Sequence, residues 1–89
     1  MQFRFTKHAL ERMFERDIES NECILAFEQG NIVEDYPDDT PFPSQLRIGP
    51  INGKIIHVVG AISNEIVHII TVYEPTSVRW TEDYMKRRN

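Results

Sequence analysis

Ile51-Asn52-Gly53-Lys54-Ile55-Ile56-His57-Val58-Val59-Gly60-Ala61-Ile62, followed at once by Ser63-Asn64-Glu65-Ile66-Val67-His68-Ile69-Ile70-Thr71-Val72-Tyr73, carries the clearest structural signals in the chain. Two runs rich in Ile and Val, separated by Ser63-Asn64-Glu65, predict adjacent β-strands over about 54–62 and 66–73. Asn52-Gly53 is a strong hairpin signal, because a type I′ turn needs positive φ at both central residues and these two types supply it. The turn therefore folds the 54–62 strand back onto another at about 45–50. Both long runs are apolar on either face, which marks the sheet centre.

Working outward from the centre, Pro75 ends the last run, and the segment Pro37 to Pro43 holds three prolines and two aspartates. That segment can donate few ladder hydrogen bonds and reads as a surface loop. Before it, residues 31–36 alternate with period two and predict a further strand. Lys7 to Arg16 places Leu10, Met13 and Phe14 at helical spacing behind Thr6. Ser20 or Asn21 suits the cap of a second helix with Cys23, Ile24 and Phe27 on one stripe, and Gly30 stands where a left-handed C′ residue is wanted. The expected architecture is α+β within one domain spanning 1–89. Two N-terminal helices, about 6–16 and 20–29, pack on a four-stranded, mainly antiparallel sheet. In the tail, Val78, Trp80, Tyr84 and Met85 form a weak helical stripe that predicts a short C-terminal helix.

A composition of 40% hydrophobic and 27% charged residues is that of a globular chain and excludes disorder. No apolar run approaches the roughly 20 residues a bilayer span requires, and the first residues lack the apolar stretch of a signal peptide, so a cytoplasmic protein without a membrane partner is expected. The single Cys23 has no disulfide partner and reads as a core thiol. Three histidines with no His-x-x-x-His spacing and no second Cys give no metal site, and no Gly-rich phosphate loop or nucleophile elbow suggests a cofactor or serine hydrolysis. The net charge of −4 works against general attraction to nucleic acid. The average hides segregation, with acid at Glu34, Asp35, Asp38 and Asp39 and base at Arg12, Arg16 and Lys86-Arg87-Arg88.

His8, Arg12 and Arg16 recur every four residues and share one ridge of the first helix. An imidazole able to move a proton, beside guanidiniums able to neutralise phosphate, suits a phosphodiester; the same spacing also suits a solvated face paired with Glu11 and Glu15. His57 lies mid-strand on an otherwise apolar face. A two-residue loop at Ser63-Asn64 puts His57 and His68 on one sheet face, and a three-residue loop puts them on opposite faces. Arg47 is the one cation of the sheet interior and a candidate phosphate contact; if Ile51 pairs with Lys54, it faces Val58 and points away from His57. Tyr73, with Glu74 beside it, offers a phenol or carboxylate at the sheet edge.

Phe5-Thr6-Lys7-His8-Ala9-Leu10-Glu11-Arg12-Met13, Glu34-Asp35-Tyr36-Pro37, His57-Val58-Val59 and Ile70-Thr71-Val72-Tyr73-Glu74-Pro75 together resemble a bacterial and archaeal domain-of-unknown-function family of small toxin-like proteins. That family is similar to the RelE-type ribonuclease toxins, whose fold is two N-terminal helices on an antiparallel sheet. The resemblance implies an RNA-cleaving toxin that uses no metal or other cofactor. It also implies a partner, a zinc-ribbon, helix-turn-helix antitoxin of the MqsA kind. The polar signature it carries over falls on His8, Arg12 and His57, with Tyr73 as a further candidate, and these are the expected catalytic groups; the reading of the helix ridge and the sheet adds Arg16 and Arg47 for substrate. A noncatalytic interaction module on the same fold, binding a protein through the acidic Tyr36 to Asp39 loop or a sheet edge, is the competing expectation.

Overall fold

A computed structural model describes residues 1–89 as β1 (Gln2–Phe5), α1 (Lys7–Arg16), α2 (Ser20–Gln29), β2 (Asn31–Tyr36), β3 (Ser44–Ile51), β4 (Lys54–Ser63) and β5 (Ile66–Tyr73). Two helices and a sheet make the class α+β, but the sheet has five strands in the order β1-β5-β4-β3-β2 and is mixed. This corrects the expected four-stranded, mainly antiparallel sheet. The added strand, β1, runs parallel to β5, with Gln2 opposite Ile66 and Phe5 opposite Ile69. A four-residue strand whose partner lies more than sixty residues away leaves no hairpin signal in the sequence.

The turn chemistry sets the rest of the register. Asn52 and Gly53 both have positive φ, 49° and 81°, and their hairpin pairs Ile51 with Lys54 and Arg47 with Val58. Asn64, at φ 55°, turns β4 into β5 with Ser63 opposite Ile66. The β4–β5 register shifts by one between Val59 and Gly60. Because Ala61 pairs with His68 and β4 is regular, His57 and His68 share one face, the alternative that a two-residue loop gave.

Both helices cover the opposite face. Ala9, Met13, Ile18, Cys23, Ala26 and Phe27 close on Ile56, Val58, Val67, Ile69 and Val72, with Phe3 and Phe5 of β1 packed at the margin. Each buried Val, Ile, Met or Phe among them contributes about 1.5–3 kcal/mol of transfer free energy, so this layer supplies most of the folding drive. The buried face of α1 is Ala9 and Met13, whereas Leu10 and Phe14 point outward; a small residue at position 9 lets the helix approach the sheet more closely than a Leu stripe would. The Thr6 hydroxyl caps α1 by accepting from Ala9 N, and Glu19, not Ser20 or Asn21, caps α2, with Glu22 accepting from Glu19 N at 2.9 Å. Glu22 also accepts from Asn52 Nδ2 and pairs with Lys54 at 3.4 Å, tying α2 to the β3–β4 hairpin. Gly30 is extended, at φ −79°, and is required for space, since a Cβ there would lie 2.2 Å from the Ala26 and Ile48 carbonyl oxygens.

The expected C-terminal helix does not form. Thr81 and Asp83 side chains take the backbone donors of Lys86 and Met85, and Tyr84 adopts φ 59°, so local side-chain bonds displace the helical ladder. Residues 76–89 instead make a strap of turns closed by a bridge between Trp80 and Arg87. No helix is long and apolar enough to cross a membrane.

Gly60 sits where a Cβ would lie 2.6 Å from the Phe27 ring and 2.9 Å from Val67 Cγ1. Gly60→Ala is therefore expected to destabilise the chain by about 1–3 kcal/mol through overpacking, read as a lower urea midpoint at unchanged slope.

Candidate functional site

The sheet face away from the helices carries Glu34, Leu46, Ile48, His57, Val59 and Tyr73, and the strap crosses it. His57 is 0% exposed. Its ring meets Trp80 edge-on with centroids 4.5 Å apart and Tyr73 edge-on at 5.2 Å. Nε2 lies 2.9 Å from the Tyr84 carbonyl oxygen, which can only accept, so Nε2 carries the proton. Nδ1 is then the acceptor, and the Tyr73 hydroxyl donates to it at 3.1 Å. Burial pushes the His57 pKa below its ordinary value, partly opposed by the Tyr84 hydrogen bond and the Glu34 charge, and burial likewise pushes the Tyr73 phenol upward.

Arg87 clamps the strap to the sheet. Its Nε and Nη2 donate to the two Glu34 oxygens at 3.0 and 3.1 Å, and its guanidinium lies 4.6 Å over the Trp80 ring. Tyr36 donates its hydroxyl to the same carboxylate. The Arg87 hydrogen bond holds the Glu34 carboxyl below its ordinary range, and Glu34 in turn holds the Arg87 pKa up. The pair is a surface one, Arg87 being 60% exposed at its side chain, so its worth is about 1 kcal/mol or less.

Beside this latch opens a cleft of about 440 Å³ lined by Arg16, Tyr73, Glu74, Arg79, Trp80 and Arg87. Arg16 comes from the last turn of α1, Tyr73 and Glu74 from the end of β5, and the other three from the strap. Arg16 and Arg79 have no ion-pair partner, and Arg87 keeps Nη1 outside its Glu34 bonds. Three guanidiniums around one phenol make a receptor for an oxyanion, and a planar fork suits phosphate in particular.

Of the residues singled out in the sequence, the structure joins His57 to Tyr73 and sets Arg16 in the cleft beside Tyr73. His8 and Arg12 lie further along the α1 ridge: His8 Nε2 is 3.1 Å from Thr71 Oγ1, two residues before Tyr73, and Arg12 pairs with Glu15 at 2.8 Å while its buried Nε–H has no partner. His8 and His57 do not meet. Arg47 lies on the helix face, over the Phe27 ring at 4.5 Å, and donates to Phe27 O and Gln45 Oε1; it is no part of the cleft. His68 stacks on Phe42, away from it. Cys23 is buried, its thiol pushed up to about 11 by desolvation, which leaves it inert as a nucleophile. No three His, Cys, Asp or Glu side chains gather closely enough to hold a metal ion. Sequence reasoning missed Arg79, Trp80, Arg87 and Glu34, whose only signal was that base collects in the tail and acid at the end of β2.

Fold and cleft together define a small α+β protein with an arginine-lined cleft beside a Tyr–His pair. Residues 5–74 match the family described as Domain of unknown function (DUF4258), and the chain belongs to that family. No curated protein and no solved structure matches the chain. His57, Tyr73, Arg16 and Glu34 fall within the matched span, and Arg79, Trp80 and Arg87 lie beyond it.

The lowered His57 pKa fixes a pH dependence. An unfolded His binds its proton near 6.5 and the folded one only at lower pH, so the stability due to neutral His57 is complete above 6.5 and drains as pH falls below it. Glu34, also lowered, contributes above 4.5 and is lost further into acid. Trp80, the one Trp of the chain, reports both. Between about pH 7.5 and about pH 5 the thermal midpoint read by its emission should fall, with His57→Gln flattening that step; a midpoint constant down to the carboxylate range would refute this.

Proposed function

We propose that the chain is a metal-independent, ribonuclease-like toxin, and that the cleft holds one phosphodiester of RNA against the Tyr73–His57 pair. The observation that carries this reading is the coincidence, in one cleft, of three guanidiniums with a phenol already donating to a buried imidazole. The ribose 2′-OH passes its proton to Tyr73 Oη as the Tyr73 proton moves to His57 Nδ1. The 2′ oxygen bonds to phosphorus, the bond from phosphorus to the 5′ oxygen breaks, and that oxygen takes a proton from water, whose hydroxide then recovers, by way of Tyr73 Oη, the proton held on His57. A 2′,3′-cyclic phosphate and a 5′-hydroxyl result. Imidazolium formed at His57 is stabilised by the Tyr84 carbonyl and the nearby Glu34 charge. Arg16 and Arg79 neutralise charge building on the nonbridging oxygens, and Arg87 adds Nη1. His8 and Arg12, further up the ridge, serve a neighbouring phosphate. Kinship with RelE-type toxins is proposed on this chemistry alone, and the antitoxin that kinship implies would act by covering the cleft.

A second reading, a noncatalytic interaction module, is favoured by the free edge of β2, where Ile32 is exposed, and by the acidic surface of Asp35, Asp38 and Asp39 at its end. The two separate on induced expression in bacteria: growth arrest with fragmented RNA supports the toxin, and full growth with intact RNA at high soluble expression sinks it. On a purified single-stranded RNA, Tyr73→Phe should lower kcat by about a hundredfold or more while the fold survives. Arg79→Gln should mainly raise KM, by about tenfold, and flatten its salt dependence.

A further inference from the structure

Phe14 is 90% exposed and Leu10 51%, although they are the largest apolar side chains on the outer surface of α1. Lys7, Leu10 and Phe14 follow spacings of three and four as a stripe along one side of α1, and Asp17, the left-handed C-cap three residues beyond Phe14, closes it at the C-terminal end. The stripe reads cation, Leu, Phe, anion. Reversed, it reads anion, Phe, Leu, cation, so it is complementary to itself. Two copies set antiparallel about a two-fold axis bring Lys7 against Asp17 and Leu10 against Phe14 in both halves of the contact.

Two features of the structure support such pairing. Lys7 and the Asp17 carboxylate are both without an ion-pair partner within the chain, and Asp17 is held in place by its left-handed C-cap geometry and by Lys54 Nζ donating to its carbonyl oxygen at 2.7 Å. At 3.6 residues per turn, the stripe also lies on the opposite side of α1 from Arg12, the middle of the His8–Arg12–Arg16 ridge. Pairing through the stripe therefore leaves ridge and cleft uncovered.

We infer that a second copy of this chain docks on the Lys7–Leu10–Phe14–Asp17 stripe, giving an antiparallel α1–α1 dimer. The inference stands apart from the proposed ribonuclease activity. A four-residue stripe is smaller than a standard interface, and Glu11 and Glu15 set like charge along one rim, so the dimer is weak, with Kd between about 10 μM and about 1 mM.

Sedimentation velocity of the full chain over that range tests it, with circular dichroism confirming the fold of each variant. Reversible dimerisation is expected, and Phe14→Lys should weaken it about tenfold or more. Lys7→Glu and Asp17→Lys should each weaken self-association. An equimolar mixture of those two variants should recover it, because the new carboxylate meets the new ammonium while the untouched Lys7–Asp17 contact is kept. A chain that stays monomeric throughout the range, or a mixture that associates no better than either variant alone, overturns the inference, whatever other protein the stripe binds.

Discussion

A five-stranded sheet has two faces to shield from water, and two ten-residue helices suffice for one. That shortage governs the rest of the molecule. The second face buries Leu46, Ser44, Ala61 and His57, and the only chain left to cover it is the loop after β2 and the strap at residues 76–89. The loop lays Phe42 on His68, and the strap lays Trp80, 3% exposed, on His57. A cover made of turns has no ladder of its own to hold it down, so it is pinned at points: the Trp80–His57 contact, the His57–Tyr84 hydrogen bond and the Arg87–Glu34 fork. Two residues of those pins, Trp80 and Arg87, line the cleft. The site exists because the second face had to be closed with irregular chain.

The placement of base follows from the same arrangement. An acidic protein can keep a cationic cleft only if its guanidiniums outnumber the carboxylates beside them, as three arginines here outnumber Glu74. Arg12 and Arg87 are partly neutralised by Glu15 and Glu34, while Arg16 and Arg79, brought together from α1 and the strap, are left free. The formal charge of −4 therefore says little about the field inside the cleft, which is set by distances of a few ångströms.

What the sequence disclosed is what local chemistry controls. Asn52-Gly53 signals a turn, and with Ile51 opposite Lys54, one of the registers that turn allows, Arg47 faces Val58 and is separated from His57. The helices were legible from periodicity and, for α1, from the Thr6 cap, but not which side of α1 is buried: choosing Ala9 over Leu10 depends on how closely helix and sheet approach, a property of neither alone. β1 and the strap were hidden for a related reason. Phe3–Arg4–Phe5 gains its meaning from β5, and Arg87 from a Glu34 53 residues away. Half of the cleft was visible as Arg16 and Tyr73, and the half contributed by the strap was obscured by a helical period that local hydrogen bonding from Thr81 and Asp83 overrides.

One extra residue in β5 carries more weight than its length suggests. Continued without a break, the pairing of Gly60 with Ile69 and Ala61 with His68 would set Val72 opposite His57 and turn Tyr73 toward the helices. The single-residue shift between Val59 and Gly60, which leaves Ile70 unpaired, rotates everything beyond it by half a pleat and delivers the phenol to the imidazole. The Tyr–His pair is thus encoded by an insertion rather than by either residue, and a relative holding both residues but lacking the insertion would present them on opposite sides of its sheet.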